Sequence, residues 1–171
     1  MKRLFTTLPL LFILAFILVT FTSASTVSAI AEENETTAVK CMIQMTNYSG
    51  EGAYIVISLI NPKGEYEQTL HVQGKDTEWY SEIKEWWQFY GKQDDGIDAL
   101  VGATISGGER AINIIKIPKN NIDAGYSIRF ETAVEDQDYH TSDVQFELTS
   151  TSIKSKVEGT GFIRYVRMMP Q

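Results

Sequence analysis

Alternation of apolar and polar residues is the feature that most limits how this chain can fold. Every second residue of segment 39–45 is apolar, and segment 144–148 repeats the same pattern. Successive side chains of a β-strand point to opposite faces of a sheet, so a period of two indicates a strand with one buried face. The pattern therefore predicts a core that is built mainly from half-buried strands.

Turn sequences separate the other predicted strands. Residues 53–60 are a β-branched and aliphatic run, and Asn61-Pro62-Lys63-Gly64 then leads into segment 66–72, which predicts a hairpin. Segment 149–156 fits either a loop or an exposed edge strand. Six to eight short strands predict an all-β, immunoglobulin-like antiparallel β-sandwich. The remaining predicted strands are residues 111–117, 125–134, 144–148 and 162–168.

One segment follows a helical period instead. Asp76 or Thr77 is suited to cap the start of a helix over residues 79–90, and Gly91 is suited to end it. We expect this single short, aromatic-rich helix either to plug the open end of the sandwich and bury its rings, or to present the rings that lie off its apolar stripe. The stripe consists of Trp79, Ile83, Trp86 and Tyr90.

The N-terminus predicts a location outside the cytoplasmic membrane. Met1-Lys2-Arg3 is basic, residues 4–21 are mostly apolar, and Ala29-Ile30-Ala31 has the small residues of a cleavage site. We therefore expect a signal peptide over residues 1–31, a flexible leader over residues 32–38 and one domain over residues 39–168. An uncleaved anchor is the alternative, since the apolar run is close to the length that spans a bilayer. Cleavage would leave no integral membrane domain.

Charge and cysteine content narrow the class of function. Removal of residues 1–31 moves the formal net charge from -7 to -9, because the segment contains two cations and no anion. Such a charge argues against nucleic acid and anionic lipid headgroups as partners. Cys41 is the single cysteine, so no internal disulfide can form, and its place in the alternation predicts a buried thiol. One cysteine and two histidines do not make a usual zinc site.

The segment Asp98-Ala-Leu-Val-Gly-Ala-Thr resembles the signal for covalent attachment of a flavin. That signal has an aspartate, a short spacer and then Ser/Thr-Gly-Ala-Ser/Thr, and similar segments occur in flavin-carrying subunits of sodium-translocating NADH:quinone reductases. Asp98, Gly102, Ala103 and Thr104 match, whereas Val101 stands where a hydroxyl residue is usual. The resemblance implies that a flavin transferase attaches FMN to the Thr104 hydroxyl. Glycine and alanine leave room for the transferase to approach.

The order of features along residues 39–148 is similar to an uncharacterised, DUF2271-like family of secreted or periplasmic proteins. The family is associated with flavin transferases and PepSY-type membrane redox proteins. It has a hairpin, a tryptophan-containing segment, a D-x-x-x-G-A-T motif and a later strand that begins near Gly125-Tyr126. The resemblance implies an immunoglobulin-like sandwich, covalent FMN on Thr104 and electron exchange with a membrane redox protein.

Two classes of function follow from these observations. The first is an extracytoplasmic electron carrier rather than a stand-alone enzyme, in which Asp98 helps the transferase to recognise the chain and Trp87 forms a platform against the isoalloxazine ring. The second is a non-redox binding module, in which Gly102, Ala103 and Thr104 are merely a turn. A sandwich fold serves either class, so the fold alone does not decide between them.

Overall fold

Nine strands form about half of residues 35–91 and 101–171, which are the residues that the computed structural model describes. A 3₁₀-helix (Thr77–Glu82) and an α-helix, α1 (Lys84–Tyr90), follow the third strand, and two short 3₁₀-helices occupy Lys119–Asn121 and Ser152–Lys154. The strands are β1 (Thr36–Met45), β2 (Tyr54–Ile60), β3 (Tyr66–Gln73), β4 (Val101–Gly102), β5 (Arg110–Pro118), β6 (Ser127–Ala133), β7 (Tyr139–Glu147), β8 (Lys156–Glu158) and β9 (Ile163–Pro170).

The strands pair into two sheets. One sheet has four strands in the order β5-β1-β9-β8, and the other has five in the order β4-β3-β2-β6-β7. All pairings are antiparallel except that of the two-residue β4, which runs parallel to β3. This arrangement confirms the predicted all-β sandwich, including the hairpin of β2 and β3.

The inward faces of the two sheets form the main core. In β1 the apolar residues of the alternation are fully buried, and they pack with aliphatic residues of β2, β5, β6 and β9. Cys41 belongs to this core, as predicted, and burial raises the pKa of its thiol to about 12. The thiol is therefore protonated and unreactive at neutral pH.

Two strand boundaries differ from the prediction by three residues or more. β1 begins at Thr36, because residues 36–38 pair with residues 116–118 of β5, so these residues are strand and not leader. β7 begins at Tyr139, five residues before the predicted strand 144–148. β7 is an edge strand, and polar residues are compatible with such a position. Segment 149–156 contains a 3₁₀-helix and the start of edge strand β8.

The predicted single helix over residues 79–90 is two helical segments. Ile83 joins them with φ -87° and ψ 71°, a conformation outside the α-helical region, and the change of pitch directs Tyr80 rather than Trp79 into the interior. Ile83 and Trp86 are buried, as the apolar stripe predicted. Asp76 caps the first segment, since its Oδ1 accepts a hydrogen bond from the Glu78 backbone N at 3.2 Å.

The helical segments lie on the outer face of the five-stranded sheet and not at the open end of the sandwich. β2 is buried on both faces, so the face that turns away from the main core also needs a cover. Trp86 supplies much of that cover: its Nε1 donates to Thr69 Oγ1 at 2.8 Å, and its ring stacks on Tyr90 at 4.9 Å. This second core consists of Val56, Val72, Tyr80, Ile83, Trp86 and Ala133.

A buried carboxylate fixes the start of α1 to the sheet. Glu131 is fully buried and accepts hydrogen bonds from the hydroxyls of Tyr66 and Tyr139. The Tyr139 hydroxyl in turn accepts from the Glu85 backbone N at 3.1 Å, in the first turn of α1. Burial raises the pKa of Glu131, while the hydrogen bonds from the two tyrosines act in the opposite direction. The two hydroxyls thus satisfy a carboxylate that would otherwise be costly to bury.

We predict that Trp86→Ala lowers the free energy of unfolding by about 3–5 kcal/mol, because it removes a fully buried ring and leaves a cavity. The neighbouring Trp87 is 37% exposed, so Trp87→Ala is the matched control and should cost about 1 kcal/mol. Urea denaturation followed by far-ultraviolet circular dichroism measures both losses. Equal losses would show that the second core does not depend on Trp86.

Candidate functional site

Residues Gly102–Thr104 lie at the edge of the five-stranded sheet. We call them the acceptor segment. β4 pairs with the end of β3, so that Val101 lies beside Val72 and Gly102 beside Gln73. The Gly74 backbone N then donates to the Gly102 carbonyl at 2.8 Å. The acceptor segment therefore starts from an ordered strand and not from an unattached loop.

Gln73 holds the acceptor segment from the interior. Its side chain is only 7% exposed, and its Nε2 donates to the Ala103 carbonyl. Its Oε1 accepts from Asn113 Nδ2 at 3.2 Å and lies 3.0 Å from His71 Nε2. Asn113 belongs to β5 in the four-stranded sheet. A single amide thus ties Ala103 to both sheets of the sandwich.

His71 contributes to this junction as a neutral ring. Burial lowers the pKa of His71 below its ordinary value, although the hydrogen bond with Gln73 acts in the opposite direction. A neutral imidazole that carries its proton on Nε2 can donate to the Gln73 Oε1. The structure gives this histidine a half-buried place beside the acceptor segment.

Packing within the chain favours glycine at position 102. A Cβ at this position would lie 2.7 Å from Gln73 Nε2 and 2.8 Å from Oε1, closer than real side chains approach. A glycine in the flavin-attachment signal leaves room for a second protein to approach. The structure adds a reason within the chain itself, since any side chain here displaces the amide that holds Ala103.

Ile105 fixes the acceptor segment on its other side. Ile105 is buried and pairs with Ala53 through two backbone hydrogen bonds of 2.8 and 3.2 Å. The Tyr48 hydroxyl donates to the Ile105 carbonyl and accepts from the Ala53 backbone N at 2.8 Å. Burial raises the pKa of Tyr48, so the hydroxyl keeps the proton that it donates. The backbone is therefore held both before and after Ala103 and Thr104.

Thr104 is the exposed residue between these two points of attachment. Its side chain lies over the backbone of Gly52, where an added Cβ would come within 2.5 Å of the Thr104 Oγ1 and 2.7 Å of its Cβ. Gly52 thus leaves the space that the threonine side chain occupies. Ala103 is also exposed and adds only a methyl group beside the hydroxyl. A hydroxyl in this position can act as a nucleophile when a second protein supplies the base and the metal.

The residues that follow Thr104 are structural. A Cβ on Gly107 would lie 1.9 Å from the Tyr48 carbonyl oxygen, and Gly108 has φ +78°, which favours glycine. The Ser106 backbone N donates to Glu109 Oε2 at 3.0 Å, which closes the turn before β5. The small residues after Thr104 therefore serve this turn.

Trp87 packs against other aromatic rings of the helical segments. Its ring lies 6.4 Å from Tyr80, 6.2 Å from Trp86 and 6.1 Å from Tyr90, measured between ring centroids. The link between the rings and the acceptor segment passes through Tyr80, whose hydroxyl donates to the Gly74 carbonyl at 3.0 Å. Gly74 in turn bonds to Gly102.

Of the five predicted site residues, Gly102, Ala103 and Thr104 are neighbours in sequence, and Trp87 lies on α1. Asp98 lies outside the described residues. Gln73 and Gly52 are the site residues that sequence reasoning missed, because each reaches the acceptor segment from a distant part of the chain. Over residues 35–91 and 101–171, no cluster of three or more His, Cys, Asp or Glu side chains is placed to hold a metal ion. In the same residues, no helix is long and apolar enough to span a bilayer.

Comparison with known proteins identifies the family. Residues 36–165 match the model of a family that is described as a predicted periplasmic protein, DUF2271. No curated protein and no solved structure matches the chain. The description of the family confirms the location outside the cytoplasmic membrane that the N-terminus predicts. Because the match extends over well more than half of the chain, this protein belongs to the DUF2271 family of predicted periplasmic proteins.

Proposed function

We propose that this protein carries FMN on the Thr104 hydroxyl and transfers electrons outside the cytoplasmic membrane. The observation that carries the proposal is the position of Thr104: an exposed hydroxyl, inside a D-x-x-x-G-A-T sequence, on a backbone that is held on both sides. An exposed threonine in a freely moving loop would be an ordinary surface residue. The hydrogen bonds of Ala103 and Ile105 give this one a fixed presentation.

The attachment reaction follows from the chemistry of a threonine hydroxyl. The Thr104 Oγ attacks the phosphorus of the FMN half of FAD, the pyrophosphate bond breaks, and adenosine monophosphate leaves. The hydroxyl proton passes to a base of the transferase, which also supplies the metal ion. The part of this chain is to present the hydroxyl in a fixed position with little around it.

The residues around Thr104 fit such a group. Gly52 has no side chain on the inner side of the hydroxyl, and Ala103 has only a methyl group beside it. The flavin supplies the redox centre, and a covalent tether prevents its loss by dilution outside the membrane. Gln73 keeps the backbone of Ala103 in place and so limits the directions in which the attached group can extend.

Trp87 is the proposed contact for the flavin ring. A ribityl chain separates the ring from the attachment point, so the ring can lie away from Thr104. The indole is 37% exposed and is supported from below by Tyr80, Trp86 and Tyr90. Stacking on such a surface contributes roughly 0.5–1.5 kcal/mol beyond the burial of area. The proposed partners are a flavin transferase, which modifies the chain, and a membrane redox protein, which exchanges electrons with it.

A second candidate function, a non-redox binding module, is favoured by one observation. A cavity of about 240 Å³ lies between the helical segments and the turn from β6 to β7, and its lining includes Tyr54, Trp79, Glu82, Glu135 and Tyr139. Aromatic rings beside carboxylates suit a sugar, through stacking and hydrogen bonds. This function does not involve Thr104, so the two candidates predict different effects of a Thr104 substitution. A flavin transferase gene beside the gene of this protein would favour the carrier.

We predict that co-expression with a flavin transferase increases the intact mass by one FMN phosphodiester and that Thr104→Ala abolishes the increase. Ser106→Ala is the matched control, because Ser106 is an exposed hydroxyl residue two positions further on and should not alter labelling. Intact mass spectrometry measures all three proteins. An unmodified natural chain, or an adduct that persists in Thr104→Ala, would rule out the proposed site.

Substitution of Val101 tests which residues of the segment the transferase recognises. If the enzyme bonds to a hydroxyl at this position, Val101→Thr restores a hydrogen bond worth roughly 0.5–1.5 kcal/mol and speeds labelling a few-fold to about tenfold without changing its site. Asp98→Ala should reduce labelling far more, because it removes a charged recognition group. Initial labelling rates measure both effects. Identical rates for these variants and the natural chain would show that the transferase does not read the segment.

Gly52→Ala tests the presentation of the hydroxyl. The added methyl group would lie 2.5 Å from the Thr104 Oγ1, so we predict that the threonine side chain moves and that labelling slows several-fold. Glu51→Ala, in the same exposed loop, is the control and should label at the natural rate. Thermal unfolding of each variant separates a local displacement from a loss of fold. Natural labelling of Gly52→Ala in a folded protein would contradict the proposed geometry.

A further inference from the structure

The four-stranded sheet concentrates positive charge in an acidic protein. The whole chain has 15 basic and 22 acidic residues. The strands of this sheet nevertheless contain six cations and a single anion, Glu158. The strands of the five-stranded sheet contain one cation, Arg129, and four anions, of which Glu131 and Asp143 are buried. The six cations are Lys40, Arg110, Lys116, Lys156, Arg164 and Arg167.

Aliphatic side chains lie among these cations on the outer face. Ile112 and Ile114 are 54% and 65% exposed, because they alternate with the inward residues of β5. In the register of the sheet, Met42 lies beside Ile112, and Lys40 lies between Ile114 and Met169. We call this surface the basic face: Lys40, Met42, Ile112, Ile114, Lys116, Arg167 and Met169.

The composition of the basic face distinguishes among possible occupants. Two copies packed face to face would bring Lys40, Lys116 and Arg167 against their own images, which repel each other. The centre of a protein interface is usually depleted in lysine, whereas Lys40 lies amid the aliphatic side chains of this face. Lysine among aliphatic residues suits a lipid surface, where the stem stays in apolar surroundings and the ammonium reaches a phosphate.

We propose that the basic face binds the surface of a membrane that contains anionic phospholipid. The net charge alone predicts repulsion, but that value averages over this basic sheet and the acidic remainder of the chain. Ionic screening acts over about 10 Å in 0.1 M salt, so the cations nearest the lipid dominate over anions on more distant surfaces. The proposal uses no residue of the acceptor segment and holds whether or not Thr104 carries a flavin.

Vesicle sedimentation of the processed, secreted protein tests the proposal. We expect binding to vesicles of one part phosphatidylglycerol to two parts phosphatidylcholine, weakening as salt is added, and none to pure phosphatidylcholine. The triple variant Lys40→Gln, Lys116→Gln, Arg167→Gln should bind on the order of a hundredfold more weakly, since each cation contributes roughly fivefold. The double variant Ile112→Thr, Ile114→Thr should bind a few-fold more weakly and retain its salt dependence.

The matched control is the triple variant Lys63→Gln, Lys75→Gln, Lys84→Gln, which has the same net charge and changes exposed lysines outside the basic face. It should bind as the natural protein does. Equal loss in the two triple variants, absence of binding to the anionic vesicles, or binding that the basic-face variant retains would overturn the proposal. Binding to polyglutamate without binding to these vesicles would also overturn it and assign the face to an acidic protein. Since Lys116 and Arg167 are exposed, the double variant Lys116→Gln, Arg167→Gln repeats the test if the triple variant does not fold.

Discussion

Burial of β2 on both of its faces is the constraint on which the rest of this structure depends. Residues 55–60 are all buried, so the strand needs the four-stranded sheet on one side and the helical segments on the other. Burying an aliphatic side chain stabilises a protein by about 1.5–3 kcal/mol, and β2 contributes five of them. The position of Trp86 over Thr69, and of Glu131 beneath the start of α1, follows from the need to close that second face.

The candidate site depends on the same frame through contacts that are distant in sequence. Gln73 reaches Ala103 across 30 positions and Asn113 across 40, and Tyr48 reaches Ile105 across 57. The sequence identified Gly102, Ala103 and Thr104 because the motif is local and its residues are consecutive. No sequence motif marks Gln73 or Gly52 as a site residue. Both contact the acceptor segment only after the chain has folded and the strands have paired.

The fold was predictable where a single period governed a segment. β1 and β2 follow directly from alternation and from an unbroken apolar run, and β3 follows from the turn that precedes it. The sequence predicted the position of the helix over residues 79–90 but not its division into two segments. A spacing of i, i+4 and i+7 does not reveal a change of pitch at Ile83. The start of β7 was missed because its residues are polar, and the hydrogen bonds that make it a strand come from β6.

The net charge of the whole chain does not describe the charge of each face of the protein. Lys40 and Lys116 occupy the outward positions of the alternation in β1 and β5, so their direction relative to the core could be read from the sequence. The sequence does not show that the two lysines lie on the same face, because this depends on the pairing of β1 with both β5 and β9. A formal charge of -7 describes the interaction of the chain with a distant partner, whereas a surface in contact responds to the cations that face it. The four-stranded sheet presents its outer face to solvent, whereas helical segments cover part of the outer face of the five-stranded sheet. A partner that docks on the basic face therefore meets the composition of that face and not the average of the chain.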